Sequence, residues 1–287
     1  TNTDLRRCPC KTDWSLLIRY GADGADRAFE ANENEEGIET LGKNMLKNLR
    51  KAVQIAWKDT RIYYFSTPTI TMGLLFPLLM FLTFWVGRGL SISEALPGLA
   101  ALTVFFSGSS IAVTTLALER TKGTFDTQLA MPVSLLIIAL GKIIASFLYS
   151  FIITIIPVLA LVFLSQPQVV NLALFFVSVI FSALASAGLG MLLSASARHV
   201  HEAMTPLNLI RIPMMFISGL FTPITSLPGV LQGIAYIMPL THTVNSLQYA
   251  ILGLGDIHTF LINIGVLVVY AVIFLIVATK RLENTLE

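Results

Sequence analysis

Charged side chains are scarce in this 287-residue sequence, at 13% of residues where a soluble domain carries about 25%. Cysteine is nearly absent: Cys8 and Cys10, on either side of Pro9, are the only two. That count excludes a disulfide framework or a four-cysteine zinc site and leaves two free thiols on a polar tail. No G-x-x-x-x-G-K-[ST] occurs, so the chain has no phosphate-cradling loop of its own. H-E-x-x-H is missing too, because Thr205 stands where the second histidine is needed. His199, His201 and Glu202 in "RHVHEAM" therefore read as a solvated loop. A net charge of +2, with no basic patch interleaved with aromatics, excludes a nucleic-acid binder. No catalytic, cofactor-binding or metal-ligating residues are expected.

What is present is apolar sequence, 55% hydrophobic, in long uncharged runs. Runs of about 18 or more such residues read as membrane spans. Residues 1–42 are the exception, with seven acids and one base between Asp23 and Glu39. Such a segment buries too little apolar surface to offset its ordering entropy, and it reads as a disordered cytoplasmic tail without a signal-peptide core. Residues 43–65 place Met45, Leu49, Ala52, Val53, Ala56 and Trp57 at helical spacing, with Lys43, Lys47, Arg50, Lys51 and Lys58 on the other side. A basic amphipathic helix of this kind lies at the membrane interface.

Six spans follow, and residues 66–280 read as one membrane domain ahead of a short cytoplasmic tail, 281–287. The spans are expected at 67–87, 95–118, 143–165, 169–195, 205–222 and 257–279. Between the fifth and sixth, the proline-rich stretch 224–252 reads as a hairpin of short helices that dips back into the membrane. Non-helical backbone at that depth needs protein or a water-filled cavity around it. Six basic residues lie between Lys43 and Arg61, and further ones at Arg120, Lys122, Lys142, Arg198, Lys280 and Arg281, whereas Arg88 stands alone on the other side. The positive-inside rule then puts both termini in the cytoplasm.

"ERTKGTFDTQLAMPVS", residues 119–134, interrupts the apolar sequence with Glu119, Arg120, Lys122 and Asp126. At about 2.5–3.5 kcal/mol for each Asp, Lys or Arg at a bilayer centre, burying this stretch in lipid would cost on the order of 10 kcal/mol. It stays in water. Thr124 is expected to cap a short helix that Pro132 ends. Phe125 and Leu129, one turn apart, are expected to face the cytosol, resting either on the lipid surface or in a partner. Ser182, Ser186, Gly190 and Ser194 form a small-residue ridge suited to close helix packing or to a polar pathway lining. Arg211 lies shallow in the fifth span and is expected to snorkel to the surface, and Lys142 at the mouth of the third span is read the same way. Asp256 and His258 are expected to face water.

"LERTKGTFDTQLAMPVSLLIIALGK" resembles the hallmark segment of type-2 ABC export permeases, the membrane subunits related to daunorubicin-resistance, Nod-factor and polysaccharide exporters. The matching residues are Glu119, Arg120, Gly123, Thr124, Leu129, Pro132, Val133, Ser134, Gly141 and Lys142. "SGLFTPITSLPGVLQGIAYIMPLTHTVNSLQYAILG", residues 218–253, is similar to the family's pattern before the last span, departing from it at Gln248 where many members carry arginine. The resemblance covers about residues 43–280. It implies an all-α membrane protein that pairs with a second permease subunit, as homodimer or heterodimer, in a prokaryotic cell membrane. ATP and Mg would be used by a separate nucleotide-binding subunit. The coupling helix to that subunit would comprise Glu119, Arg120, Lys122, Gly123, Thr124, Phe125, Gln128 and Leu129. Phe125 and Leu129 would anchor the partner. The hairpin would form an outer gate through Phe221, Pro223, Leu227, Pro228, Pro239 and Thr241, with Arg211 and Lys142 at a pathway or interface.

The implied cargo is an amphipathic drug-like or lipid-like molecule, with a polysaccharide or lipo-oligosaccharide as the alternative. Two other classes fit less well. A secondary transporter usually has internal repeats or intramembrane carboxylates, and neither is found here. An intramembrane enzyme needs a nucleophile and a base together, and the span centres offer serines without a base.

Overall fold

A computed structural model describes residues 47–64, 67–89, 91–131, 133–165 and 171–285. The polar tail and residues 43–46 of the expected interfacial helix lie outside the described residues. The chain divides into two units, Thr1–Arg50 and Lys51–Glu287, and all packing described below is within the second. Among the described residues there are helices and no strands.

Helix α1 runs over residues 47–63. α2 (Thr67–Ile70) passes through a π-turn (Thr71–Leu75) into α3 (Phe76–Arg88). Pro77 lacks the amide that an unbroken α-helix would use there, and the widened turn just before it absorbs the mismatch. The remaining helices are α4 (Ile92–Thr121), α5 (Thr124–Leu129), α6 (Leu135–Ser165), α7 (Leu172–Ser194), α8 (Val200–Ile217), α9 (Gly229–Ile237), α10 (Pro239–Leu252) and α11 (Ile257–Asn284), with a 3₁₀ turn at Ile224–Ser226. Among the described residues, four segments are long and apolar enough to cross a membrane: Glu94–Thr121, Leu135–Leu159, Leu172–Ser194 and Ile257–Asn284. The apolar stretch Gly73–Gly87 is shorter, and the polar first turn of α8 keeps it outside that set. α6 begins at Leu135, eight residues before the expected span: residues 135–141 are apolar too, and Lys142, expected at the mouth of the span, lies inside the helix, buried and ion-paired. α8 ends at Ile217 rather than near 222, and Gly219 follows with φ 84°.

α4 is the central column. A reciprocal cap starts it: Glu94 Oε2 accepts from the Ser91 amide at 3.1 Å, and Ser91 Oγ accepts from the Glu94 amide. From Leu99 to Ala117 every residue is buried, against α6, α7, α8 and α10. Most of its hydroxyls are satisfied inside the bundle, although Thr114 Oγ1 is buried without a partner. Thr103 donates to Leu99 O at 2.8 Å and Ser109 to Phe105 O at 2.6 Å. Val104 O accepts from Ser150 at 2.7 Å and from Ser186 at 3.3 Å, tying three helices to one carbonyl. A Cβ on Gly190 would lie 2.3 Å from Ser109 O, so only glycine lets α7 approach α4 this closely. The ridge of Ser182, Ser186, Gly190 and Ser194 is buried, as close packing requires. α11 instead exposes Leu261, Ile262, Val269, Val272 and Ile276, an apolar face suited to lipid.

Candidate functional site

The loop between α4 and α6 is built on a turn at Gly123, whose φ of 70° favours glycine. The expected cap at Thr124 is corrected: Gly123 occupies the cap position, and the Thr124 hydroxyl donates back to Glu119 O at 3.3 Å. Pro132, expected to end α5, lies outside the described residues. The expectation that Phe125 and Leu129 face the cytosol is also corrected. Phe125 is 1% exposed and packs with Leu116, Ile138, Met191 and Leu282, while Leu129 is half-buried against the same cluster. A six-residue helix lying across the ends of longer helices turns one face inward, and its two largest apolar side chains take that face. Gln128 is buried as well. The open surface is Lys122, Thr124, Asp126, Thr127, Ala130 and Met131.

Beneath this stub lies a cluster of two lysines and two carboxylates. Glu119 accepts from Lys58 through one oxygen and from Lys142 through the other. Asp59 lies 3.1 Å from Lys58 Nζ and 3.4 Å from Lys142 Nζ. Asp59, Glu119 and Lys142 are fully buried, and Lys58 reaches in from the edge. The snorkelling reading of Lys142 is corrected: its ammonium turns inward because two carboxylates await it. Pairing of both signs is what makes such burial tolerable. Burial pushes the Asp59 carboxyl above its ordinary range. Burial alone would lower the Lys58 pKa, but Asp59 and then Glu119 outweigh it and raise the value above 10.5.

Local sequence explains the assembly. Ala52, Ala56, Asp59 and Tyr63 form one buried stripe of α1, while Val53, Trp57 and Ile62 are exposed. The apolar residues of this helix are thus split between a protein-facing stripe and an outward one. A Cβ on Gly141 would meet Ile55 and Ala52 O at 2.8 and 2.9 Å, so glycine there lets α1 press against α6 beside Lys142. The Tyr64 hydroxyl donates to Ala145 O at 2.7 Å, and its ring meets Tyr149 edge-on at 4.8 Å. Sequence reasoning missed Lys58 and Asp59. The available signal was an acid on the inward stripe of an otherwise basic helix.

Arg120 works in the opposite direction from Glu119. Its guanidinium lies 5.3 Å from the Phe125 ring centre and donates to Ala197 O at 2.8 Å, beside a 3.1 Å bond from Thr121 to Arg198 O. Glu119 therefore holds α1 and α6, and Arg120 holds the turn between α7 and α8. In that turn Glu202 caps α8 by accepting from the Arg198 amide at 3.0 Å. Among the described residues no group of His, Cys, Asp and Glu is arranged to hold a metal.

Arg211 does not snorkel, a further correction. It is fully buried against α4, where polar partners make an escape to the surface unnecessary. Near the other ends of these helices, Phe221, Pro239 and Thr241 are buried, Leu227 is half-buried, and Pro223 and Pro228 are exposed. Three successive carbonyls at the end of α9 are taken up by side chains. Thr241 donates to Ala235 O at 2.6 Å, His242 Nε2 meets Tyr236 O at 3.0 Å, and the Tyr270 hydroxyl donates to Ile237 O. His242 Nδ1 lies 2.6 Å from Asn263 Oδ1. Phe221 and Gln248 also border a small open cleft with Phe81, Trp85 and Glu94.

Residues 48–252 match the family model described as ABC-2 type transporter. The chain is 29% identical over 196 residues to the probable multidrug ABC transporter permease YbhS of Escherichia coli (strain K12), covering 67% of this chain and 52% of that protein. It is 34% identical over 103 residues to nodulation protein J of Rhizobium meliloti (strain 1021), covering 36% and 39%. The inner membrane transport permease YhhJ of Escherichia coli (strain K12) is 29% identical over 173 residues, covering 60% and 44%. The chain thus spans about half the length, or less, of these curated relatives.

Proposed function

The chain belongs to the ABC-2 type transporter family, and on that premise we propose that it is the membrane-embedded permease subunit of an ATP-driven exporter. In this reading six segments cross a prokaryotic plasma membrane: the four long apolar helices, the broken α2–α3 segment and α8. Both termini are cytoplasmic, following the basic residues of α1, the α4–α6 loop and the C-terminal tail. α1 lies in the interface with Val53 and Trp57 towards lipid, and the α9–α10 hairpin returns into the outer leaflet as a gate. A separate nucleotide-binding subunit binds ATP and Mg, and a second permease subunit completes the path. The cargo is an amphipathic drug-like or lipid-like molecule, in keeping with the multidrug names of relatives.

The junction at Glu119 and Arg120 carries this reading. An exposed stub, α5, sits on a core formed by its own Phe125, and the two charged residues before it grip different helices. Pressure on Thr127 and Met131 reaches α1 and α6 through Glu119, and the α7–α8 turn through Arg120. Close packing transmits such displacement instead of absorbing it. The test is a reconstituted complex with its ATPase subunit. Thr127→Arg with Met131→Asp should release that subunit and abolish substrate-stimulated hydrolysis while the permease keeps its fold. Unchanged binding and hydrolysis would refute the docking role. So would labelling of a Thr127→Cys variant from outside intact cells.

A further inference from the structure

We infer that Arg211 is the binding site for an anionic group, a phosphate monoester or its like, on the molecule this permease moves. The inference rests on the export reading and adds the charge of the cargo to it. The starting observation is a contrast between two fully buried cations. Lys142 has two carboxylates within reach. Arg211 has none. Its Nε donates to Asn208 Oδ1 at 2.9 Å, and its Nη1 to Ser110 Oγ at 2.8 Å, Ser109 Oγ at 3.2 Å and Phe106 O at 3.4 Å. The guanidinium carbon stands 4.3 Å from the Phe106 ring centre. Nη2 is buried and has no hydrogen-bond partner.

No counter-ion is available from the elements around it. α6, α7 and α10 contain no Asp or Glu. The carboxylates of α4 are Glu94 at one end and Glu119 at the other, the latter held by its lysines. Glu202, in the first turn of α8, is nine residues away, or about 13 Å along the helix, and is committed to the Arg198 and His199 amides. A dry, uncompensated charge is expensive, and an ionisable group at this depth points to a function. The geometry supplies the chemistry. A guanidinium is a planar fork that matches phosphate oxygens, and Nη2 holds donors not yet used. The Ser109 and Ser110 hydroxyls accept from Arg211 here, and by rotating they become donors to an arriving anion. The other walls, Phe106, Leu207 and Met214, are apolar and fit the non-polar body of an amphipath.

The test uses the full-length permease without its ATPase, in neutral phosphatidylcholine nanodiscs, so that failure of the site and failure of motor docking are read separately. The probe is radiolabelled dodecyl phosphate. Wild type should bind it saturably, and Arg211→Gln should weaken binding about ten-fold or more, the scale of a lost charge-assisted hydrogen bond. Arg211→Lys should retain most of the affinity. Competition by inorganic phosphate at equal concentration would assign the site to the free anion, and its failure to compete would assign it to the amphipath; either result upholds an anion site. Equal affinity in folded Arg211→Gln would overturn the inference. Should that variant not fold, wild type decides alone: dodecyltrimethylammonium binding as tightly as dodecyl phosphate would also overturn it.

Discussion

Replacing Glu119 by Gln tests the ion cluster most directly. The substitution keeps the shape and removes one negative charge from a balanced set of two lysines and two carboxylates. Lys58 and Lys142 are then left with Asp59 alone. Removing one partner from a buried pair costs about 3–5 kcal/mol, because the stranded charge stays dry. Against a total stability of about 5–15 kcal/mol that is a large fraction. At about 2–4 °C per kcal/mol for a domain of this size, Tm should fall by about 6–20 °C. Lys142→Met should cost a similar amount by stranding a carboxylate. The double variant restores neutrality and leaves the Lys58–Asp59 pair in place. It should therefore be more stable than the sum of the singles implies, by about 2 kcal/mol or more in a double-mutant cycle. The assay is thermal unfolding of the purified permease in one detergent, with stimulated ATPase activity of the complex measured in parallel. Additive single effects, or a Glu119→Gln melting point within about 2 °C of wild type, would refute the reasoning.

Other expectations follow from the same contacts. Phe125→Ala should cost about 3–5 kcal/mol of stability, since the ring fills the core instead of reaching for a partner; a docking-only defect in a variant of normal Tm would contradict this. Gly141→Val should force α1 off α6 and cost about 1–3 kcal/mol, read as faster proteolysis within residues 51–64. Lys58 binds its proton more tightly in the folded chain, so its contribution is complete below pH 10.5 and is lost as pH rises through the higher folded value. Lys58→Met should remove that alkaline loss from the stability–pH profile. Tyr270→Phe leaves Ile237 O without its donor and should cost about 1–3 kcal/mol where water cannot replace it.

The helical class, the cores of four spans and the break between α4 and α6 were legible because long uncharged runs and a dense knot of charge are strong signals. Span ends were not. A single lysine, Lys142, reads as the edge of a span, whereas its ion pairs let α6 and its apolar run start at Leu135. The facing of short segments was also hidden. Phe125 beside four charges reads as a surface residue until α4 and α6 are seen to bring their ends beneath it. Asp59 and Lys58 were masked by the basic character of α1, and the partners of Arg211 lie about a hundred residues away in α4. Such pairings depend on which helices are neighbours, and periodicity within one helix carries no information on that.

The capped end of α9 makes wetting and movement a single event. As long as Thr241, His242 and Tyr270 occupy its last carbonyls, the bend between α9 and α10 needs no solvent and can rest against hydrocarbon. Swinging α9 away from α10 and α11 removes all three side-chain donors; Ala235 O keeps the Met238 amide at 3.0 Å, whereas the Tyr236 and Ile237 carbonyls then need water. If the hairpin is the gate proposed above, it would shift only as its surroundings hydrate, and the same side-chain bonds would oppose both leakage and motion.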